Sequence, residues 1–198
     1  METKNGKCIW CQDGGLLENY HDGEWGTPVH DEYRHFEFLV LESMSCGLSW
    51  ILMLRKREIF RSCFAGFDFC KVASFGETDV KRILAYPGMI RSQRKIEATV
   101  NNACRFIEVQ KEWGTFDRYI WSFTGGKTLV YKSHLEGLRE TSNELSDRVA
   151  EDMKCRHFKY LGSVILYSHL QSIGIINDHP RDCFRYGELL KESDWEMK

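Results

Sequence analysis

At 198 residues the chain is long enough for one substantial core, and 42% hydrophobic with 28% charged residues excludes a disordered or fibrous protein. A net charge of −2 gives no global attraction to nucleic acid, so any DNA binding has to rest on local patches. The polar opening METKNGKC carries no secretory signal and the longest apolar run, LGSVILY, is too short to span a bilayer, which predicts a cytosolic protein. In that compartment the eight cysteines are buried hydrophobes, metal ligands or redox ligands, not a disulfide framework.

The first dense segment is NYHDGEWG, residues 19–26, which puts Tyr20, His21, Glu24 and Trp25 side by side. That mixture is closer to equipment for a site than to packing. Asp31 is a plausible N-cap for a helix to Cys46 with Phe36, Leu39, Val40 and Met44 on one face, and Gly47 is its stop. A second helix follows over Ser49–Phe60, burying Trp50, Ile51, Leu54, Ile59 and Phe60. Thr78–Ala85 reads as a short helix, YPGM as a turn, and Ser92–Trp113 as a long helix with Ile96, Val100, Ala103 and Ile107 in register. Thr115–Trp121 is short. The stretch FTGGKTLVYKSHLEGLRET reads as a surface connection without a core of its own. Ser142–Lys154 is amphipathic, and Tyr160–Ile173, apolar nearly all round, predicts a buried central helix ended by Gly174. Alternating β-branched runs are nearly absent, so the expectation is an all-α fold in a single domain, residues 1–198.

Each end of the chain offers two ligand-type side chains: Cys8 and His21, then His179 and Cys183 in an H-x3-C spacing. A Cys2His2 set makes a tetrahedral zinc shell, closed and structural, although a lone histidine is more often a hydrogen-bonded core or surface group. CIWC allows a different use, with Cys8 and Cys11 as a dithiol pair or half of a metal site, but a redox pair wants a βαβ surround that this chain lacks. Cys46, Cys63, Cys70, Cys104 and Cys155 read as packing.

Glu42 lies among Leu39, Val40, Leu41 and Met44, so its carboxyl is either partly desolvated, with a raised pKa useful for recognition, or simply an exposed helix glutamate. Trp50, just past the Gly47 bend, is a stacking platform or core. Residues 78–98 carry a helix, a glycine hairpin and a second helix. In such a helix–hairpin–helix element, backbone N–H groups near Gly88 and the positive end of the second helix would hold a DNA phosphate, with Arg91, Arg94 and Lys95 beside it. Arg55-Lys56-Arg57 and the group Lys154, Arg156, His157 and Lys159 are further basic patches, or solvated helix ends.

Taken together, YHDGEWG, GLSW, KRE, GMIRSQRKI, IWSF and GIINDH resemble the bacterial type-I 3-methyladenine DNA glycosylases, from about Cys8 to Cys183. The resemblance implies an all-α member of the helix–hairpin–helix glycosylase superfamily, with one structural zinc ion per chain on Cys8, His21, His179 and Cys183 joining the termini. It implies excision of 3-methyladenine from alkylated double-stranded DNA by base flipping and N-glycosidic hydrolysis, without strand cleavage, with free 3-methyladenine as product. It assigns contact with the lesion base to Glu42, stacking to Trp50, pocket walls to Trp10 and Tyr20, and a nearby position to Trp25. The expected setting is a monomer in the bacterial cytoplasm acting at the nucleoid, with no membrane. Two departures sit beside the inferred pocket: Met44 and Ser45 replace two glutamines, and Leu17 stands where a tyrosine is expected. They leave two alternatives open, an altered alkyl-purine specificity and a non-catalytic binder of damaged DNA.

Overall fold

The structure is a computed structural model that describes residues 3–12, 14–138 and 140–198. A small antiparallel pair, β1 (Thr3–Lys4) and β2 (Lys7–Cys8), leads through a 3-10 turn over Ile9–Cys11 into α1 (Leu16–Gly23). The helices α2 (Glu32–Ser45), α3 (Trp50–Cys63), α4 (Phe69–Ala73), α5 (Glu77–Ala85), α6 (Gln93–Trp113) and α7 (Phe116–Ser122) follow. Then come β3 (Thr128–Val130), α8 (Lys132–Leu135), α9 (Glu144–Cys155), α10 (Ser163–Ser172), α11 (Phe184–Glu192) and β4 (Trp195–Met197). Among the described residues no helix is long and apolar enough to cross a membrane.

Helices dominate, and α2 is the central one. Asp31 caps it by accepting from the Arg34 N–H, and every residue from His35 to Ser45 is buried. Its first residue, Glu32, also caps α7, accepting from the backbone N–H groups of Phe116 (2.9 Å) and Asp117 (2.8 Å). An aromatic stack behind α2 runs from Phe36 to Phe106 and on to Phe116, with ring centroids 5.6 and 4.3 Å apart. Burial of these rings supplies much of the apolar area that holds the helices together.

Three expectations need correction. The central helix predicted over Tyr160–Ile173 begins only at Ser163, because His157 and Tyr160 adopt left-handed φ values of 65° and 59° that no helix can contain. It is also open on one side, with Val164 53% exposed. The stretch from Phe123, read as a surface connection, contains the buried strand β3. It pairs in parallel with β4, Thr128 opposite Trp195, and bridges to Ile176. Such long-range pairing leaves no local periodicity to detect. Of the cysteines read as packing, Cys63 is buried but Cys70 and Cys155 are exposed, Cys70 because α4 turns Phe69 and Val72 inward instead.

Gly174 fixes how α10 ends. Its φ is +78°, and a side chain there would meet the Pro28 nitrogen at 2.5 Å, so only glycine lets the segment after Trp25 lie against the helix terminus. Backbone bonds from Gly26 N–H to Gln171 and from Val29 N–H to Ile173 complete that contact. The turn between α5 and α6 contains Gly88 at φ +78°, whose carbonyl accepts from Lys56 Nζ.

Candidate functional site

The ends of α1, α2 and α10 and the start of α3 enclose a cavity of about 330 Å³. Trp10, Tyr20, Trp25 and Trp50 supply its aromatic walls, and Glu42 its one carboxyl. The Tyr20 ring lies 5.3 Å from Trp50, and Trp10 meets Trp25 edge-on at 5.1 Å. Glu42 is 2% exposed. Burial pushes its pKa up to about 8, opposed by the hydrogen bond from Ser172 and by the nearby Ser45 hydroxyl, and no charged side chain contributes. Trp50 Nε1–H is buried in the wall without a hydrogen-bond partner.

Glu24, from the NYHDGEWG segment, does different work from Glu42. Glu24 accepts from both terminal nitrogens of Arg57 at 2.8 Å and from Arg34 at 2.7 Å. Glu37 takes Arg57 Nε at 2.9 Å, Arg61 at 2.7 Å and Arg34 at 2.8 Å. Two carboxylates and three guanidiniums thus tie α1, α2 and α3 behind the cavity. Arg57, read as part of a surface basic patch, is a half-buried member of this network, because the charge it neutralises lies inside.

The four ligand-type residues of the two chain ends converge. Cys8 Sγ, His21, His179 and Cys183 Sγ are all buried, with ligand atoms within 4.8 Å of one another. Cys183 Sγ is 3.4 Å from His21 Nε2 and 3.4 Å from His179 Nδ1, and Cys8 Sγ is 3.7 Å from His179 Nδ1. These are close to the ~3.4–3.8 Å edges of a tetrahedron whose bonds are about 2.0–2.3 Å long. The remaining ring nitrogens are engaged elsewhere, His21 Nδ1 by Asp22 at 2.7 Å and His179 Nε2 by the Trp25 carbonyl at 3.1 Å. An acceptor on the outer nitrogen keeps the proton there and leaves a lone pair facing inward, which is what a metal ligand requires. Hydrogen bonding from Cys8 first, and then from His179 and His21, holds the Cys183 thiol well below the usual range against the opposing effect of burial. The cluster can hold a metal ion.

Cys11 stays outside it. Its Sγ donates to the Cys8 carbonyl at 2.9 Å, and burial pushes its thiol up to about 11, the reverse of a reactive thiolate. The dithiol alternative has no support in this geometry.

Among the other residues singled out, Gly88, Arg91 and Arg94 are exposed at the α5–α6 turn. Lys95 faces inward and donates to the carbonyls of Met44 (2.9 Å) and Cys46 (2.6 Å), pinning the start of α6 beside the cavity's mouth. Met44 is fully buried, Ser45 lines the cavity, and Leu17 packs against the core. Sequence reasoning did not find Ser168, Gln171 or Ser172, which α10 brings to the cavity, nor Leu48, an apolar residue 41% exposed at its rim. Leu48 had a signal in its place directly after the Gly47 bend, whereas the serines of α10 have none.

Comparison with known proteins places this geometry. DNA-3-methyladenine glycosylase 1 of Escherichia coli K12 is 38% identical over 180 residues, covering 91% of this chain and 96% of that protein. The structure of 3-methyladenine DNA glycosylase I from Staphylococcus aureus, solved for the basis of its 3-methyladenine recognition, matches with a TM-score of 0.85 at 31% identity, covering 90% of this chain and 95% of that one. A variant of 3-methyladenine DNA glycosylase I in complex with 3-methyladenine matches equally well, at TM-score 0.85 and 31% identity, over 90% of this chain and 96% of that one. The Methyladenine glycosylase family matches residues 10–186, and with that span, the aromatic cavity and these relatives in agreement, the chain belongs to the methyladenine glycosylase family.

Proposed function

We propose that this protein is a DNA repair glycosylase that excises 3-methyladenine from alkylated double-stranded DNA, releasing the free base and leaving the sugar–phosphate backbone uncut. The observation that carries the reading is Glu42: a carboxyl 2% exposed, without a charged partner, in the wall of an aromatic cavity. A base inside a duplex is out of reach, so the nucleotide must be extruded, at a cost of a few kcal/mol that damage lowers. Stacking on Trp50 and its neighbours returns ~1–3 kcal/mol per base. Electron-rich ring faces favour a positively charged alkylated purine over its neutral parent. Methylation at N3 already makes the purine a good leaving group. Discrimination and positioning therefore suffice, with Glu42 hydrogen-bonded to the purine edge. Leu48, apolar and exposed at the rim, is suited to fill the gap that the extruded base leaves.

The α5–α6 turn serves as a helix–hairpin–helix element, with Gly88, Arg91 and Arg94 toward the phosphates and Lys95 fixing the turn to the cavity's mouth. Cys8, His21, His179 and Cys183 would hold one structural zinc ion, which would join the two ends of the chain without supplying a hydrolytic water. The protein acts as a monomer.

The test is to incubate the protein with methylated duplex DNA and measure free 3-methyladenine and strand breaks separately. Release of the base with intact strands, abolished in Glu42→Gln, is the expected result. Release of N7-alkylated purines instead would point to altered specificity, and duplex binding without any release to a non-catalytic binder.

A further inference from the structure

Ser172 stands where three hydrogen bonds meet inside the cavity. Its Oγ lies 2.9 Å from the Tyr20 hydroxyl, 3.1 Å from Glu42 Oε1 and 2.9 Å from the Ser168 carbonyl. The residue is 3% exposed and lines the cavity wall. A hydroxyl has one proton and two lone pairs. Tyr20 donates to Ser172, and the single Ser172 proton then goes either to Glu42 or to Ser168. The Ser168 carbonyl sits within α10, where the helix backbone already serves it. The nearby Ser45 hydroxyl donates to the Glu42 main-chain carbonyl at 2.8 Å, which leaves Ser172 as the hydroxyl turned to the carboxyl.

We propose that Ser172 is the positioning residue of this pocket, its hydroxyl joining Tyr20 on α1 and Glu42 on α2 into one hydrogen-bonded unit that fixes how the carboxyl meets the base. The inference rests on the reading of Glu42 as the group that contacts the lesion. The chain Tyr20 to Ser172 to Glu42 polarises along its length, so each bond strengthens the next. It sets the carboxyl's rotation by occupying Oε1, and it holds the Tyr20 ring against Trp50. Three separate helices meet at this one side chain. Without it, the Tyr20 hydroxyl and Glu42 Oε1, both buried, would each lose the Ser172 partner that links them.

The experiment is binding of free 3-methyladenine to the full-length, metal-loaded protein, followed by quenching of the tryptophans in the cavity wall between pH 5 and 9. Wild type is compared with Glu42→Gln, Ser172→Ala and Tyr20→Phe. Facing Glu42, the titratable group is the Tyr20 phenol on α1, itself influenced by Glu24 and Arg57, and burial raises it far out of this range. His169 on α10 is pushed down to about 3 by burial first and by His35 second, so it stays neutral throughout. The ligand's own titration is common to all four proteins and cancels in the comparison.

Ser172→Ala is expected to bind about tenfold more weakly. Its pH profile should move upward, because the donor that lowers the Glu42 pKa is gone. Tyr20→Phe should shift the profile in the same direction by less. If Glu42→Gln weakens binding while Ser172→Ala and Tyr20→Phe keep the wild-type affinity and profile, the inference is overturned and the glycosylase reading stands. Wild-type protein that binds no base overturns both.

Discussion

Glu37 and Glu42 lie five residues apart on α2 and are equally buried, each 2% exposed, yet their surroundings are opposite. Glu37 is gripped by three guanidiniums, whereas Glu42 is met by hydroxyls and aromatic rings. The first is a charge balanced inside the fold, the second an acid whose balance is left for a ligand. In the function proposed here, a flipped, alkylated purine would bring the positive character and the N–H groups that Glu42 lacks. Burial alone therefore does not single out a candidate carboxyl; burial without a cation is what sets Glu42 apart from Glu37.

The sharpest way to break the contrast is Glu37→Gln. Removing the Glu37 charge leaves three guanidiniums to Glu24 and strips Arg57 Nε, on a side chain 14% exposed, of its charged partner, while Glu24 still holds the other two Arg57 nitrogens, so stability should fall by about 3 kcal/mol in urea unfolding at pH 7. Equal stability with lost base binding would erase the distinction. Glu42→Gln should do the reverse. The pKa of Glu42 rises from 4.5 to about 8 on folding, so across that window the folded state binds the extra proton. Wild-type stability consequently falls as pH rises from about 4.5 to about 8, and levels off above it. An amide has no such term, so the variant should be the more stable protein at pH 9, by a few kcal/mol, while losing the base. Thermal unfolding at pH 5 and pH 9 measures the difference. The smallest effect belongs to Arg34→Ala. Arg34 touches both Glu24 and Glu37 but its side chain is 38% exposed, so the loss should be at most about 1 kcal/mol.

Much of the helical frame was legible because α2, α3 and α6 carry apolar residues at helical spacing, and Asp31 announces its cap. Glu42 could be picked out from its apolar neighbours, and the convergence of Cys8, His21, His179 and Cys183 from the pairing of ligand types at the two chain ends. Partners that are distant in sequence were not legible. Nothing local tells that Arg57 will find Glu24 and Glu37 or that β3 will pair with β4, and nothing marks Ser172 among the apolar residues of α10. Each of these depends on which surfaces the packed helices bring together.

The wall shared by the cluster and the cavity bears on how the protein is made. His179 holds the Trp25 carbonyl, and its partner Cys8 lies 171 residues earlier. During synthesis, α1 to α7 emerge and can pack while His179 and Cys183 are still unmade. Until then the wall carrying Trp10 and Trp25 is held through Glu24 and its contacts with Arg34 and Arg57, without the His179 contact on the Trp25 carbonyl. A stalled or truncated nascent chain would carry the helical frame without a finished pocket, so the capacity to extract a base arrives last.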